Sequence, residues 1–279
     1  MSTEQHKPTQ EELEQRIRDL EKENAHYRNY PSAFLRNVSH ELRTPMNSII
    51  GFSGLLNDPG FTHEEKEEFI STIRKSSFSL LSMIEKLLDL AQIENGQLVY
   101  QESECNLATL LSELYAKLDK SRTKTSKQNV LLNTNGKLLS TENIILTDGI
   151  KLKNLLSNIL DNAIKFTDSG QINFGYTTSN DKITFYVIDT GQGISQGKQS
   201  KIFDKFNQVS IATNQISNGI GMGLAISKGI AEFLGGKIWF ESSEGNGTSF
   251  FFEMPMKKEK KRFQPELNIP KRSLYYSAS

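Results

Sequence analysis

The sequence has little cysteine, no net charge and no long apolar run. A single cysteine, Cys105, among 279 residues excludes an internal disulfide and a zinc site built from several thiolates. Lys and Arg (33) balance Asp and Glu (33), so the chain lacks the positive field that non-specific nucleic-acid or membrane binding needs. No segment approaches the roughly 18 consecutive apolar residues of a membrane span, and the first residues lack the apolar core of a signal peptide. We therefore expect a cytoplasmic protein of about two domains.

Residues 1–30 are charged and carry a short heptad pattern. Five residues recur at alternating spacings of four and three: Leu13, Ile17, Leu20, Asn24 and Tyr27. A lone amphipathic helix would look similar, but the polar surroundings and the amide at an a-type position favour a parallel coiled coil. We expect this N-terminal signalling helix to end near Pro31, because proline disfavours helical geometry at the residue before it.

Residues 31–96 have the pattern of two long helices. Apolar residues at helical spacing predict the first helix over about residues 32–56. Pro45 lies in its interior and removes one backbone hydrogen bond, so we expect the helix to bend just beyond His40.

The second helix has clear signals at both ends. Thr62 and Glu65 fit a capping box at its start, and Asn95-Gly96 closes it. Two long helices with a short connection form an antiparallel hairpin. Its narrow apolar stripes leave too little core for one hairpin to be stable by itself. We expect two hairpins to pair into a dimeric four-helix bundle.

After Gly96 the pattern changes to short mixed elements. We expect a linker over 97–105, an α/β domain over 106–256 and a disordered basic tail over 257–279. The predicted helices are 107–120, 149–166 and 222–234, and the predicted strands lie near 129–133, 171–177, 182–188, 237–241 and 248–253.

His40 is the histidine with the most chemically useful neighbours. Helical spacing turns it away from the apolar stripe, with Glu41 adjacent and Thr44 one turn further on. These residues supply an imidazole nucleophile, a carboxylate for its second ring proton and a hydroxyl able to orient water. On spacing alone, an ordinary solvated histidine remains the more common explanation.

Three further clusters each allow a nucleotide site and an ordinary structural role. Asn158, Asn162 and Lys165 share one helical face, where amide oxygens and an ammonium could meet a hydrated magnesium ion and phosphate. A solvated face is the alternative. Asp189 ends a strand just before Gly191, where its carboxylate could accept from a purine amine or simply cap the turn.

The third cluster is glycine-rich. Gly219, Gly221 and Gly223 precede an apolar helix, which frees backbone amides to approach phosphate. The spacing fits neither a dinucleotide fingerprint nor a P-loop, so the motif by itself does not decide the ligand.

Taken in order, these motifs resemble a known family. Five segments look like the five sequence boxes of a sensor histidine kinase: SHELRTP around His40, NILDNAIKF, DTGQGI, IFDKF and GIGMGLAI. A sixth segment, GNGTSFFFEMP, resembles the closing strand of that family. The resemblance covers about residues 32–255. It implies a dimerisation and histidine-phosphotransfer domain at 31–96 and a catalytic ATP-binding domain of the GHKL type, an α/β sandwich, at 106–256.

The resemblance also assigns roles on the helical hairpin. His40 would be the phospho-acceptor, and Glu41 would hold the proton on Nδ1. Thr44 would position water for removing phosphate from the partner response regulator.

In the catalytic domain, Asn162 would bind Mg²⁺ with support from Asn158, and Asp189 would accept from the adenine amine. Gly191 and Gly193 would let the chain pass close to the base. The remaining residues implied for ATP binding are Phe203 and Phe206 as lid anchors, Gly219, Gly221 and Gly223 as the lid hinge, and Ile194, Leu224 and Thr248.

Residues 206–227 depart from the family because they contain no Lys or Arg, although many members carry a basic lid residue. Lys165 is the nearest candidate cation for the phosphates. The sequence also shows no sensory or receiver domain around the core, so we expect phosphate to pass to a separate protein and any membrane anchor to lie elsewhere.

The prediction is therefore a homodimeric histidine autokinase that uses ATP and Mg²⁺ and also dephosphorylates its regulator. Two alternatives are a nucleotide-binding regulatory dimer without kinase activity and a GHKL-fold ATPase.

Overall fold

The computed structural model describes residues 36–125, 127–134, 144–205 and 221–256. Helix α1 occupies residues 36–55 of this chain and helix α2 spans His63–Glu94. Pro45 lies within α1 without ending it. The bend expected at this proline remains a prediction. The expected coiled coil at 1–30 and the tail at 257–279 lie outside the described residues.

Helix α2 begins and ends where its sequence predicts. The Thr62 backbone N–H donates to Glu65 Oε2 at 2.8 Å and the Glu65 N–H donates to Thr62 Oγ1 at 3.3 Å, which confirms the capping box. Gly96 has a φ of +61° just after the helix, a conformation that glycine adopts at little cost. Near the connection, the Phe69 ring packs between those of Phe52 and Phe61 at centroid distances of 5.3 and 5.0 Å.

The second half alternates helices and strands within the described residues. In chain order its elements are β1 (Ser103–Asn106), α3 (Leu107–Lys124), β2 (Val130–Thr134), β3 (Ile144–Thr147), α4 (Gly149–Phe166), β4 (Gly170–Ser179), β5 (Lys182–Asp189), α5 (Gln196–Gln199), α6 (Gly223–Phe233), β6 (Lys237–Ser242) and β7 (Thr248–Pro255). The predicted bounds of α4 are confirmed, and those of the other predicted elements agree to within a few residues.

Five of these strands form one sheet in the order β2-β4-β5-β7-β6. Strand β2 pairs parallel with β4, and the other neighbours are antiparallel. Alternate residues of β5 and β7 are buried, as expected for a sheet with one face against helices. The residues at the centre of this face are Ile172, Phe174, Phe185, Val187, Phe250 and Phe252.

Helices α3, α4 and α6 bury their apolar stripes in the same core. Helix α4 alone contributes seven buried side chains, including Leu152, Leu155 and Ile159. Full burial of such a side chain contributes roughly 1.5–3 kcal/mol, so this helix is held firmly against the sheet. The α/β sandwich expected from the sequence is confirmed.

Strands β1 and β3 were not predicted. They pair antiparallel, with Cys105 opposite Ile145, so the last part of the expected linker at 97–105 is a strand and Cys105 is buried. The polar residues at the start of β1 hide this short strand from a pattern search. Asp148 then caps α4 by accepting from the Lys151 N–H at 3.0 Å.

The hairpin and the α/β half touch along the C-terminal turns of α2. Lys151 of α4 pairs with Asp89 at 3.0 Å, and Lys205 pairs with Glu94. Helix α6 passes so close that a Cβ built at Gly229 would lie 2.5 Å from Ile93 Cγ2. None of the described helices is both long and apolar enough to cross a membrane.

Candidate functional site

A cavity of about 450 Å³ lies where the hairpin meets the α/β half. Its wall includes residues from α1, α2, α4 and α6 and the chain after β5. The predicted site residues that line it are Glu41, Asn158, Asn162, Lys165, Asp189, Gly193, Ile194, Gly221, Gly223, Leu224 and Thr248. Eleven residues chosen from separate motifs are therefore brought to one cavity by the fold.

Asp189 is the buried carboxylate of this cavity. Its Oδ1 accepts from the Gly191 N–H at 2.9 Å and from the Thr248 N–H at 3.2 Å, and no described residue donates to Oδ2. Burial raises the pKa of Asp189 above its usual value, while the two backbone donors oppose that rise. The carboxylate is held by one oxygen and leaves the other for a ligand that donates a hydrogen bond.

The two glycines after Asp189 are required by close approaches within the protein. A Cβ at Gly191 would lie 2.4 Å from the Phe166 carbonyl oxygen. Gly193 has a φ of +68°, and a Cβ there would lie 2.0 Å from the Ser243 carbonyl oxygen. Gly191 does not line the cavity, whereas Gly193 does. Both glycines therefore fix the path of the loop that carries the Asp189 carboxylate.

The polar face of α4 forms another part of the wall. Asn158, Asn162 and Lys165 all line the cavity, as their shared helical face predicts. Partial desolvation lowers the pKa of Lys165, the Glu41 carboxylate opposes this shift, and the Lys86 ammonium adds to it. The α4 C-terminus is held by Lys127, whose Nζ donates to the carbonyls of Ile164, Lys165 and Thr167.

The start of α6 faces the same space. Gly221 has a φ of +72°, and a Cβ at Gly223 would lie 3.9 Å from the side chain of Asn158. The first turn of α6 therefore lies beside the amide-bearing face of α4. Two other predicted members of this region, Phe206 and Gly219, lie outside the described residues.

Phe203 lies behind the cavity wall and does not line it. Its ring meets the rings of Phe240 and Phe250 edge-on, at centroid distances of 5.9 and 6.5 Å. Phe250 itself lines the cavity. Phe203 is thus packed against the sheet, which is compatible with an anchor for the chain that follows.

The histidine motif lies at the edge of the cavity. His40 is exposed on α1, Glu41 is half-buried and lines the cavity, and His40 itself does not line it. The Thr44 hydroxyl donates to the His40 carbonyl oxygen at 3.3 Å, one helical turn back. The structure therefore brings the neighbour of His40 to the cavity and keeps the imidazole accessible.

The sequence analysis missed the contribution of α2 to this site. Ser79, Ser82, Met83 and Lys86 also line the cavity. They form one face of α2, with spacings of three, one and three residues. No local pattern marks them, because they join the site only through the docking of one half of the molecule on the other.

The comparisons with known proteins agree with this arrangement. Residues 32–96 match the His Kinase A (phospho-acceptor) domain, and residues 147–258 match the histidine kinase-, DNA gyrase B- and HSP90-like ATPase family. The two matches correspond to the hairpin and to the part of the chain that carries the cavity loops.

Relatives with this combination are sensor kinases. The chain is 34% identical to the sensor protein GacS of Pseudomonas syringae pv. syringae over 86% of its length and 26% of that protein. It is 32% identical to the signal transduction histidine-protein kinase BarA of Escherichia coli K12, over 80% of its length and 24% of that protein. The chain thus spans about a quarter of the length of these relatives.

A solved structure supports the fold. Full-length ShkA in complex with AMPPNP superposes with a TM-score of 0.59 and 27% identity, covering 80% of this chain and 46% of that one. A phospho-acceptor hairpin joined to a GHKL-type ATPase domain defines a two-domain phosphotransfer core. The chain carries the sensor histidine kinase core, made of the phospho-acceptor domain and the ATPase domain.

Proposed function

We propose that this protein is a histidine kinase that transfers the γ-phosphoryl group of ATP to His40. The observation that carries the proposal is that one cavity is lined both by Glu41, the neighbour of His40, and by Asp189 and Asn162 of the nucleotide motifs. A nucleotide held in this cavity would have its phosphates close to the acceptor helix. Positioning of this kind, together with electrostatic stabilisation, accounts for most of the catalysis of phosphoryl transfer.

Asp189 is proposed to recognise adenine. Its Oδ2 has no donor among the described residues, and the exocyclic amine of adenine is a donor of the right kind. Thr248 and Ile194 line the cavity beside it and would enclose the base. ShkA, whose structure was determined with AMPPNP, shows that a relative with this fold binds an ATP analogue.

The amides of α4 are proposed to meet the magnesium ion and the phosphates. The described residues contain no cluster of three or more His, Cys, Asp or Glu side chains that could hold a metal ion by themselves. Asn158 and Asn162 do fit Mg²⁺, which accepts amide oxygens and keeps several waters and phosphate oxygens as its other ligands. The bound ion would offset charge that develops on the phosphates, and Lys165 would add a second positive charge.

The transfer is proposed to use the neutral imidazole of His40. Its Nε2 forms a bond to the γ-phosphorus as the bond from that phosphorus to the β,γ-bridging oxygen breaks, and ADP leaves with that electron pair. Glu41 would hold the proton on Nδ1 and accept it from the phosphorylated ring. The structure has Glu41 in the cavity wall and His40 outside it, so the imidazole must turn toward the cavity for this step.

The phosphoryl group is proposed to pass next to an aspartate of a response regulator receiver domain. The exposed position of His40 leaves room for a partner protein. Thr44 lies one turn away and is proposed to position the water that later removes the phosphate from the regulator.

The active form is proposed to be a homodimer. Several large apolar side chains of the hairpin are exposed in the single chain, including Phe78 at 67% and Ile50 at 64%. A second hairpin packed against them would complete a four-helix bundle, as the phospho-acceptor family match also suggests. Light scattering should give twice the mass of one chain, and Phe78→Asp should shift the protein towards the monomer.

The protein is proposed to work in the cytoplasm. Its substrate would be cytoplasmic ATP, and its one cysteine is an unpaired, buried thiol.

Incubation with γ-labelled ATP and Mg²⁺ tests the proposed reaction. A kinase of this type gives a labelled protein whose phosphoryl bond is lost in acid and kept in base. Nucleotide binding without label would indicate a regulatory binding protein, and free phosphate without labelled protein would indicate an ATPase. Either of these results would overturn the proposal.

A further inference from the structure

Lys86 of α2 is a half-buried ammonium group that has no carboxylate partner in the described part of the chain. It forms no hydrogen bond or ion pair with any residue that the structure describes. Asp89, three residues further on the same helix, could have paired with it but instead pairs with Lys151 of α4 at 3.0 Å. A charge that is partly removed from water gains from a compensating partner, which residues 36–125, 127–134, 144–205 and 221–256 do not supply here.

Lys86 lies in the wall of the nucleotide cavity. Ser79, Ser82 and Met83 line the cavity from the same face of α2, so the whole face is turned toward the cavity. This wall exists only while the α/β half is docked on α2 through the Asp89–Lys151 pair and the contact between Ile93 and Gly229.

The cavity brings two ammonium groups together. Lys86 and Lys165 both line it, and the positive charge of Lys86 adds to the desolvation that lowers the pKa of Lys165. Three carboxylates also line the cavity, but two of them are already held. Asp161 pairs with Lys117 at 2.9 Å, and Asp189 accepts two backbone hydrogen bonds.

Glu41 is the third carboxylate of the wall, and its charge acts on Lys165 in the opposite sense to Lys86. None of the described carboxylates of this wall pairs with Lys86. A polyphosphate chain would supply negative charge beside these ammonium groups. A nucleotide site here also needs a cation from outside residues 206–227, because that segment contains no Lys or Arg.

We propose that Lys86 is a phosphate-binding residue of the ATP site, supplied by the hairpin to the catalytic half. The inference rests on the proposed function, and it adds that the triphosphate is bound tightly only when the two halves are docked. The hairpin then contributes a cation as well as the phospho-acceptor.

Calorimetry on the full chain tests this role with three ligands: the Mg²⁺ complexes of the β,γ-imido analogue of ATP and of ADP, and adenosine. Lys86→Ala should weaken binding of the triphosphate analogue by about 10- to 100-fold. It should weaken ADP less and leave adenosine unchanged. Lys86→Arg should restore most of the affinity for the triphosphate analogue.

Lys75 offers a matched control. It lies eleven residues earlier on α2, is exposed and does not line the cavity. Lys75→Ala should bind all three ligands as the parent does. Equal affinity of Lys86→Ala and the parent for the triphosphate analogue would overturn the inference. A parent protein that binds no nucleotide would overturn the proposed function, and the inference with it.

A second measurement needs no variant and so does not depend on how Lys86→Ala folds. Reductive methylation of the parent, followed by mass spectrometry, should modify Lys86 less when the Mg²⁺-bound analogue is present and should modify Lys75 equally with and without it. Unchanged modification of Lys86 at saturating analogue would contradict direct contact with the phosphates.

Discussion

Asp89 on α2 and Lys151 on α4 form an ion pair of 3.0 Å that joins the phospho-acceptor hairpin to the catalytic half. Their side chains are only 24% and 17% exposed, so this pair is better shielded from water than a surface pair. It lies one turn before the contact between Ile93 and Gly229. The pair therefore helps to hold the docked arrangement in which α2 forms part of the cavity wall.

Asp89→Ala should loosen this docking. Losing the pair should cost about 0.5–1 kcal/mol, which corresponds to a two- to fivefold larger undocked fraction. Hydrogen exchange of amides near the end of α2 and the start of α4 should accelerate accordingly. The double variant Asp89→Lys, Lys151→Asp exchanges the two charges and should recover part of the protection. Full protection in Asp89→Ala would show that the pair does not hold the halves together.

Asp189→Asn should separate folding stability from nucleotide binding. The pKa of Asp189 is raised above its usual value of 3.8 by burial, so its contribution to stability is present below pH 3.8 and is lost as the pH rises through the raised pKa. Asparagine does not titrate and can still accept both backbone hydrogen bonds. The stability of the variant relative to the parent should therefore increase from pH 3.8 upwards and level off once the pH exceeds the raised pKa.

The same variant should lose adenine recognition. An amide NH₂ in place of Oδ2 would face the donor of the base, and affinity for ATP and adenosine should fall about 10- to 100-fold. Denaturant unfolding at several pH values and calorimetry measure the two effects. Asp181→Asn, in the exposed turn after β4, is the control for charge removal. Loss of stability at neutral pH together with normal adenosine binding would contradict the role given to Asp189.

Gly191→Ala should distort the loop that carries the Asp189 carboxylate. The new Cβ would lie 2.4 Å from the Phe166 carbonyl oxygen, so backbone at the end of α4 must move. We expect a loss of about 1–3 kcal/mol in the free energy of unfolding and weaker binding of adenosine. Gly197→Ala is the matched control, because a Cβ there meets nothing within 4 Å. Similar melting temperatures and affinities for the two variants would show that the approach at Gly191 is not limiting.

Thr44→Ala should slow dephosphorylation of the regulator and leave autophosphorylation largely intact, since the hydroxyl is proposed to orient water and not to contact ATP. The hydroxyl also donates within the helix, to the His40 carbonyl. Ser48→Ala is a suitable control because the Ser48 hydroxyl makes the same kind of bond to the Thr44 carbonyl. Equal loss of both activities in Thr44→Ala would argue for a structural role of the hydroxyl instead.

Much of this fold follows from local pattern. Two signals are periodic, the apolar stripe of α4 and the alternation in β5, because burial of one face repeats at the period of the element. The capping box of α2 is a third signal, which marks the start of that helix. Strands β1 and β3 leave almost no signal, since they are four residues long and, among the described strands, pair only with each other.

The residues of the candidate site also divide into those that a local pattern marks and those that it does not. Asp189, Asn162 and Gly223 belong to motifs whose chemistry is visible in the sequence. Lys86 and Ser79 join the cavity through docking of the two halves, which no spacing along the chain encodes. That Gly191 lets the chain pass close to the base stays a prediction, and the structure adds a close approach to the Phe166 carbonyl at this glycine.

The most direct test is to locate the phosphoryl group after reaction with γ-labelled ATP and Mg²⁺. Mass spectrometry under basic conditions should find it on His40, and His40→Ala should lose all label while binding ATP as the parent does. His63→Ala removes another exposed histidine, at the start of α2, and should be labelled normally. Label that persists in His40→Ala, or that maps to any other residue, would contradict the assignment of His40 as the phospho-acceptor.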